Sequence, residues 1–249
     1  MEVVQFLIPK AIQCTVFSVI LGIVLMLCPG AVQAMAEPIV VLDPGHGGND
    51  PGAVDEVNGI LEKTLNLEVA RRVQKNLEGK GYRVLLTREQ DDAFCHAPGG
   101  ALVKRQISLD ERIELANRND AEIFVSIHAN SFHDRTCTGA EIYYHRLSQE
   151  GRELAEQFQE VLSGLPEPVE CKLKSSNYYV LRNTTMPAVL VEMGYITNDR
   201  EGKLLLEPTY QEQLAAAFAE AVNRYFKTVE NRRAGVPDDL PSAATHPVS

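Results

Sequence analysis

The sequence predicts an α/β fold: a single domain built on a mostly parallel twisted sheet, with helices on both faces. Three observations predict it. Short runs of apolar β-formers alternate with longer amphipathic stretches along most of the chain. The runs are nearly unbroken in their apolar character, as strands covered on both faces are. Ionisable residues gather just after these runs, and sites in such sheets form beyond the carboxyl ends of the strands.

The elements follow in order. "PIVVLD" at 38–43 reads as a buried strand. Leu61, Leu65, Val69, Val73 and Leu77 recur every four residues, which predicts a helix over 61–79 that Gly81 closes. "YRVLLT" at 82–87 is a second strand, and 88–106 is a polar, glycine-containing loop. Ser108 with Glu111 forms a capping box for a helix reaching about Asn119. "AEIFVSIH" at 121–128 is the third strand, and Ala140 to His145 alternates like an exposed one. A helix is expected over 148–163, short strands over 170–182, and a further buried strand in "PAVLVEMG" at 187–194. Asn198 with Glu201 resembles a helix start; Leu214, Phe218, Val222 and Tyr225 mark the last helix. From Val229 the chain has three prolines and no apolar period, so 229–249 reads as a disordered tail.

The 249 residues suit one sizeable domain, here 37–228. Val16 to Cys28 is almost wholly apolar, follows Lys10, and precedes Ala34-Met35-Ala36, a small-x-small cleavage pattern. Residues 1–36 therefore read as an export signal, with a retained membrane anchor as the alternative. Leu27 is bulky where lipidation at Cys28 wants a small residue. Either way the domain is exported, as a secreted or membrane-anchored protein. A net charge of −10, from 24 basic and 34 acidic residues, lacks the basic footprint of a nucleic-acid binder. Outside the leader stand Cys95, Cys137 and Cys171, an odd count with no CxxC pair. A disulfide framework and a cysteine zinc site are both disfavoured, and the pairing of the three stays open.

Three strands each deliver an ionisable group at the carboxyl end. His46 follows the first in "VLDPGHGGNDPG", His128 closes the third, and Glu192 closes a later one. Glu62 joins them at the start of the first helix, on the same side of the sheet. Two histidines and a glutamate make a catalytic zinc set that leaves a position for water. A second, non-ligating glutamate would serve as general base and acid. Glu192 suits that role, because Ala188 to Val191 before it imply an apolar wall that raises its pKa. The loop at 41–52 also begins a GxGxxG pattern, but position 50 is Asp and no Gly-Lys-Ser/Thr follows. A phosphate loop is thus disfavoured, and the glycines read as letting the backbone approach a metal.

"VVLDPGHGG", Glu62 in "LEKTLNLEVA", "VSIHAN" and "VLVEMGYITN" resemble the signatures of the zinc-dependent N-acetylmuramoyl-L-alanine amidases of type 3. The resemblance runs from about Pro38 to Phe226. It implies that His46, Glu62 and His128 bind Zn2+ and that Glu192 is the catalytic acid/base. The bond cut would join the lactyl group of N-acetylmuramic acid to L-alanine in peptidoglycan. The short chain is most similar to sporulation-type members that help make muramic lactam in spore cortex. Some septal members insert an inhibitory helix between the strands of the second histidine and the catalytic glutamate. Here that interval shows one ordinary amphipathic helix, so no intramolecular inhibition is expected. An activating protein partner and the N-terminal segment are left as the means of targeting.

Other polar residues carry two readings each. Asp43 is a partner for a metal-bound histidine or a turn residue before Pro44, and Asp50 is open in the same way. Asn130 orients His128, touches substrate, or forms the loop. Glu141 contacts the peptide or is a surface strand glutamate. Arg88 and Arg112 pair with stem-peptide carboxylates or with structural acids. His96, His133 and His145 read as loop or surface histidines. Two rival functions share the residues: a zinc exopeptidase, and a wall-binding protein that keeps the fold without catalysis.

Overall fold

The computed structural model describes residues 37–91, 107–167 and 170–235, together with the backbone of 93–96 and 102–105. The leader at 1–36, Cys95, His96 and the chain beyond 235 lie outside the described residues and side chains. A six-stranded sheet forms the centre, in the order β4-β1-β7-β10-β8-β9. Its strands are β1 (Ile39–Pro44), β4 (Arg83–Leu86), β7 (Ile123–Asn130), β8 (Ala140–His145), β9 (Cys171–Ser176) and β10 (Ala188–Tyr195). Four of the five pairings are parallel; the β8–β10 pairing is antiparallel. The strands β8 and β9 therefore run against the other four.

Alternation along the strands separates two cores. Val40, Leu42, Val125, Ile127, Val189 and Val191 pack under α1 (Glu62–Glu78), α3 (Gln149–Ser163) and α6 (Pro208–Arg233). On the opposite face Val41, Phe124, Ala188 and Leu190 meet α2 (Leu109–Arg118) and α4 (Tyr179–Asn183). The two helices on this face have 10 and 5 residues, against 17, 15 and 26 on the first. One face is fully thatched; the other is covered only in part, and this leaves room above the strand ends.

Most elements lie where the sequence places them, and the capping box at Ser108 and Glu111 is formed. Several differ. Residues 88–106 carry a small hairpin, β5 (Ala93–His96) with β6 (Leu102–Arg105). A second hairpin, β2 (Val54–Asp55) with β3 (Ile60–Leu61), precedes α1. Residues 179–183 form α4 rather than strand, because Val180 and Leu181 bury together against the second core. The interval between β7 and β10 thus holds two helices, not one. β8 is not exposed: Ala140, Glu141 and Ile142 are buried because β9 covers its outer edge. α5 (Glu201–Leu206) has its first amide and that of Arg200 bonded to the Asn198 side chain. The last helix runs to Arg233, past Val229, where the sequence shows no apolar period; this end is polar and exposed.

Candidate metal centre

The site grows from the end of β1. There the chain leaves the sheet and turns back over it, and Gly45 N donates to Ile127 O at the end of β7. His46 follows with φ of 63°, the left-handed region that a non-glycine residue seldom adopts. Two buried guanidiniums hold this turn. Arg88 donates to the carbonyls of Pro44, Gly45 and Lys63 at 2.7–2.9 Å. Arg112 donates to Pro44 O at 2.9 Å and to His46 O at 2.6 Å. Both arginines therefore spend donors on backbone carbonyls.

Asp43 anchors Arg112 from below at 2.5 Å and accepts from Thr87 at 2.6 Å and Ser126 at 2.7 Å. Burial works to raise its pKa, but the Arg112 charge and three hydrogen bonds outweigh it and hold the carboxyl below its usual range. Asp43 touches neither histidine. The partner of His46 is Asp50, whose Oδ2 lies 2.8 Å from Nδ1. Sequence alone left these two aspartates equivalent. They differ because Asp43 turns to Thr87, Arg112 and Ser126 on the α2 face, whereas the turn folds Asp50 back beside His46, with Gly47 N donating to Asp50 O.

Glu62 arrives from the thatched face, at the start of α1. No side chain caps that helix; the amides of Glu62 and Lys63 donate to Ala53 O and Pro51 O instead. Glu62 Oε1 lies 3.1 Å from His46 Nε2 and 3.0 Å from His128 Nδ1. Its Oε2 accepts from Ala53 N at 2.7 Å. His46, Glu62 and His128 each offer one ligand atom, all within 4.8 Å of one another. Burial pushes Glu62 up, but the two imidazoles draw it well below the carboxylate range. Burial pushes His46 down, yet Glu62 and Asp50 raise it to about 9. The centre favours positive charge between its three groups.

Two glycines make the convergence possible. A Cβ on Gly45 would lie 2.1 Å from the His128 ring. One on Gly52, whose φ is 65°, would lie 2.5 Å from Glu62 Oε2 and 2.6 Å from the His46 ring. No side chain fits between the backbone and these groups.

Glu192 pairs in register with His128 and, across the antiparallel edge, with Glu141. Its Oε2 is out of solvent and has no hydrogen-bond partner. Burial, helped by the Glu62 and Glu141 charges and partly offset by the two histidines, pushes its pKa up to about 7. Glu141 reaches this end of the sheet because β8 runs backwards. It is buried and bonded to Tyr143 at 2.5 Å, Lys174 at 2.6 Å and Tyr195 at 3.1 Å. Asn130 does not reach His128; its Oδ1 accepts from Ser131 N. His133 packs on Phe132 in the following loop, and His145 stands at the far end of β8. Cys137 carries a free thiol, and burial pushes the Cys171 thiol up.

A sequence profile described as N-acetylmuramoyl-L-alanine amidase matches residues 40–224, the whole span of sheet and site. The chain belongs to the N-acetylmuramoyl-L-alanine amidase family. This amidase is 36% identical over 190 residues to the germination-specific N-acetylmuramoyl-L-alanine amidase of Bacillus subtilis (strain 168), covering 76% of this chain and 79% of that one. Among solved structures it resembles the CwlD amidase from Clostridioides difficile in complex with the GerS lipoprotein. That match has a TM-score of 0.68 and 31% identity, and covers 77% of this chain and 100% of the other. It also resembles the catalytic domain of CwlV, an N-acetylmuramoyl-L-alanine amidase from Bacillus (Paenibacillus) polymyxa var. colistinus. There the TM-score is 0.67 and the identity 32%, with 76% and 98% of the two chains covered. Membership places the amidase among hydrolases of the muramoyl amide and answers the exopeptidase and wall-binder alternatives.

Replacing Asp43 by Asn leaves the Arg112 charge buried without its counter-ion, at a cost of about 3 kcal/mol at neutral pH. Asp43 has a depressed pKa in the folded state. Its contribution is therefore complete above the unfolded value of about 4 and fades as pH falls below it. Urea unfolding of parent and Asp43→Asn across pH should show a gap at pH 7 that narrows in acid. Equal stability at pH 7 would remove Asp43 from its anchoring role.

Proposed function

We propose that the protein is a zinc-dependent amidase that hydrolyses the bond between the lactyl group of N-acetylmuramic acid and L-alanine in peptidoglycan. The observation that carries this reading is Glu192 Oε2, buried and unpartnered beside the His46–Glu62–His128 group. The donor set fits zinc: two imidazoles and a carboxylate on three separate elements, with backbone cleared for them by Gly45 and Gly52. Zinc held there would supply a Lewis acid for the amide carbonyl and would acidify water.

The remaining chemistry belongs to the chain. Asp50 holds the His46 ring by Nδ1, which leaves Nε2 directed at the centre. Ala53 N and Ala129 N fix the two oxygens of Glu62. Glu192, with a pKa near 7, accepts a proton from the attacking water and delivers it to the departing alanine nitrogen. An acid of that strength serves both transfers near neutral pH.

The relatives and the leader support a finer assignment. Likeness to a germination-specific amidase over most of its length supports a role in forming muramic lactam in spore cortex. The CwlD–GerS complex supports a lipoprotein-type partner. The apolar leader supports export by a signal peptide or anchor and action at the cell wall. Among the described residues no helix is long and apolar enough to cross a membrane.

Glu192→Gln should keep stoichiometric zinc and lose turnover by roughly 10²- to 10⁴-fold. Metal analysis and mass spectrometry of muropeptides on one sample check this, and near-normal activity would sink the assignment of Glu192. Asp50→Ala should weaken zinc binding by about 10- to 100-fold, read by competition with a chelator. An unchanged affinity would leave Asp50 as a turn residue only. For the cortex role, spores of a strain lacking the enzyme should contain no muramic lactam by mass spectrometry; normal lactam content would point to a different wall substrate.

A further inference from the structure

The cavity beside the metal centre has a wall that the reaction chemistry does not use. It holds about 440 Å3 and reaches from His46, His128 and Glu192 across the thinly covered face to Leu109, Tyr178 and Tyr179. These three apolar side chains are 38–47% exposed, although they flank a buried core. They come from the starts of α2 and α4, the two short helices.

Both tyrosine rings are held in place. Tyr178 packs edge-on against Tyr143 at 5.1 Å. The Tyr179 hydroxyl donates to Asp110 on α2 at 2.6 Å, and the Arg182 guanidinium lies 5.1 Å from its ring centre. Rings so fixed lose little freedom when a ligand covers them, which is the arrangement a binding surface needs. The charge on the cavity wall shows which half of the substrate they meet. The stem peptide carries free carboxylates. Among the described lining residues Arg112 is the single arginine or lysine, and its guanidinium is bound to Asp43 and to backbone carbonyls. Asp43 and Asp50 line the same space with their carboxylates bonded to Arg112 and His46, and neither offers a donor to an anion. A pyranose ring, by contrast, presents an uncharged C–H face that packs on aromatic rings.

We propose that Tyr178 and Tyr179, with Leu109, form the subsite that binds the N-acetylmuramoyl sugar and so sets the side from which substrate enters. This rests on the amidase reading of the centre. The stem peptide then leaves the centre on the side away from α2 and α4. Tyr178 and Tyr179 act on binding and not on the chemical step.

The test uses the zinc-loaded enzyme with Tyr178→Ala, Tyr179→Ala and the conservative Tyr178→Phe. On a muramoyl-peptide substrate each alanine variant should raise KM about tenfold with kcat within about twofold, and Tyr178→Phe should match the parent. Calorimetry with the two product halves identifies the occupant. Affinity for N-acetylmuramic acid should fall in the alanine variants, while affinity for the free stem peptide stays level. Unchanged KM, a fall in kcat alone, or lost affinity for the peptide instead of the sugar would each overturn the proposal. Sugar affinity is read without turnover. A parent enzyme that binds the sugar but fails to cleave the muramoyl amide would defeat the amidase reading and leave the subsite standing.

Discussion

The Arg112 guanidinium is the point on which the rest of the site hangs. It is 2% exposed, carries a full charge, and donates to Asp43 and to the carbonyls of Pro44 and His46. A charge buried so deeply is tolerable only when paired and fully bonded. The bond to His46 O supports a backbone that stands in the left-handed region, where an imidazole-bearing residue is strained. Arg88 holds the same turn through Pro44, Gly45 and Lys63, although its buried Nη1 has no partner. Between them the two arginines convert a glycine-rich loop into a rigid mount. A flexible loop would present His46 to a metal only part of the time, and affinity would fall with that fraction.

Chain direction and layer thickness explain where the site opens. Asp43, Ser126, His128, Leu190 and Glu192 alternate onto the face that α2 and α4 cover only in part. Glu62 comes from the opposite layer and reaches across the strand ends, so the centre joins the two halves of the molecule. The reversal of β8 sets Glu141 directly beside Glu192 in register. A parallel β8 would have put that glutamate at the far end of the sheet. Instead, a buried carboxylate with its own tyrosine and lysine partners adds negative potential next to the proposed base. Burial and that potential act in the same direction, and keep Glu192 near the pKa that two-way proton transfer requires.

Much of this was legible one residue at a time. Leu65, Val69, Val73 and Leu77 are buried on α1 as their spacing requires, because a period of four puts them on one side of a helix. His46, His128 and Glu192 end strands whose apolar runs are unambiguous, and the rule for strand ends then gathers them. Tyr178 and Tyr179 were not legible. They stand in a segment without clear periodicity, and α4 forms there only because Val180 and Leu181 find a core to enter. Local pattern also misread β8 as exposed, since the strand that covers its edge lies 31 residues downstream, with Cys171 against Ala140.

By itself the sequence determined the alternation of elements and singled out His46, Glu62, His128 and Glu192, which the fold brings to one end of the sheet. These depend on short-range periodicity and on residue chemistry, both of which are written locally. Only the tertiary structure decided which aspartate serves which partner. Asp43 and Asp50 sit in one turn with near-identical surroundings in sequence. One of them meets Thr87, Arg112 and Ser126, brought from three other elements, and becomes an anchor. The other is folded back onto His46. A hydrogen bond depends on direction and on distances of about 3 Å, and spacing along the chain carries neither.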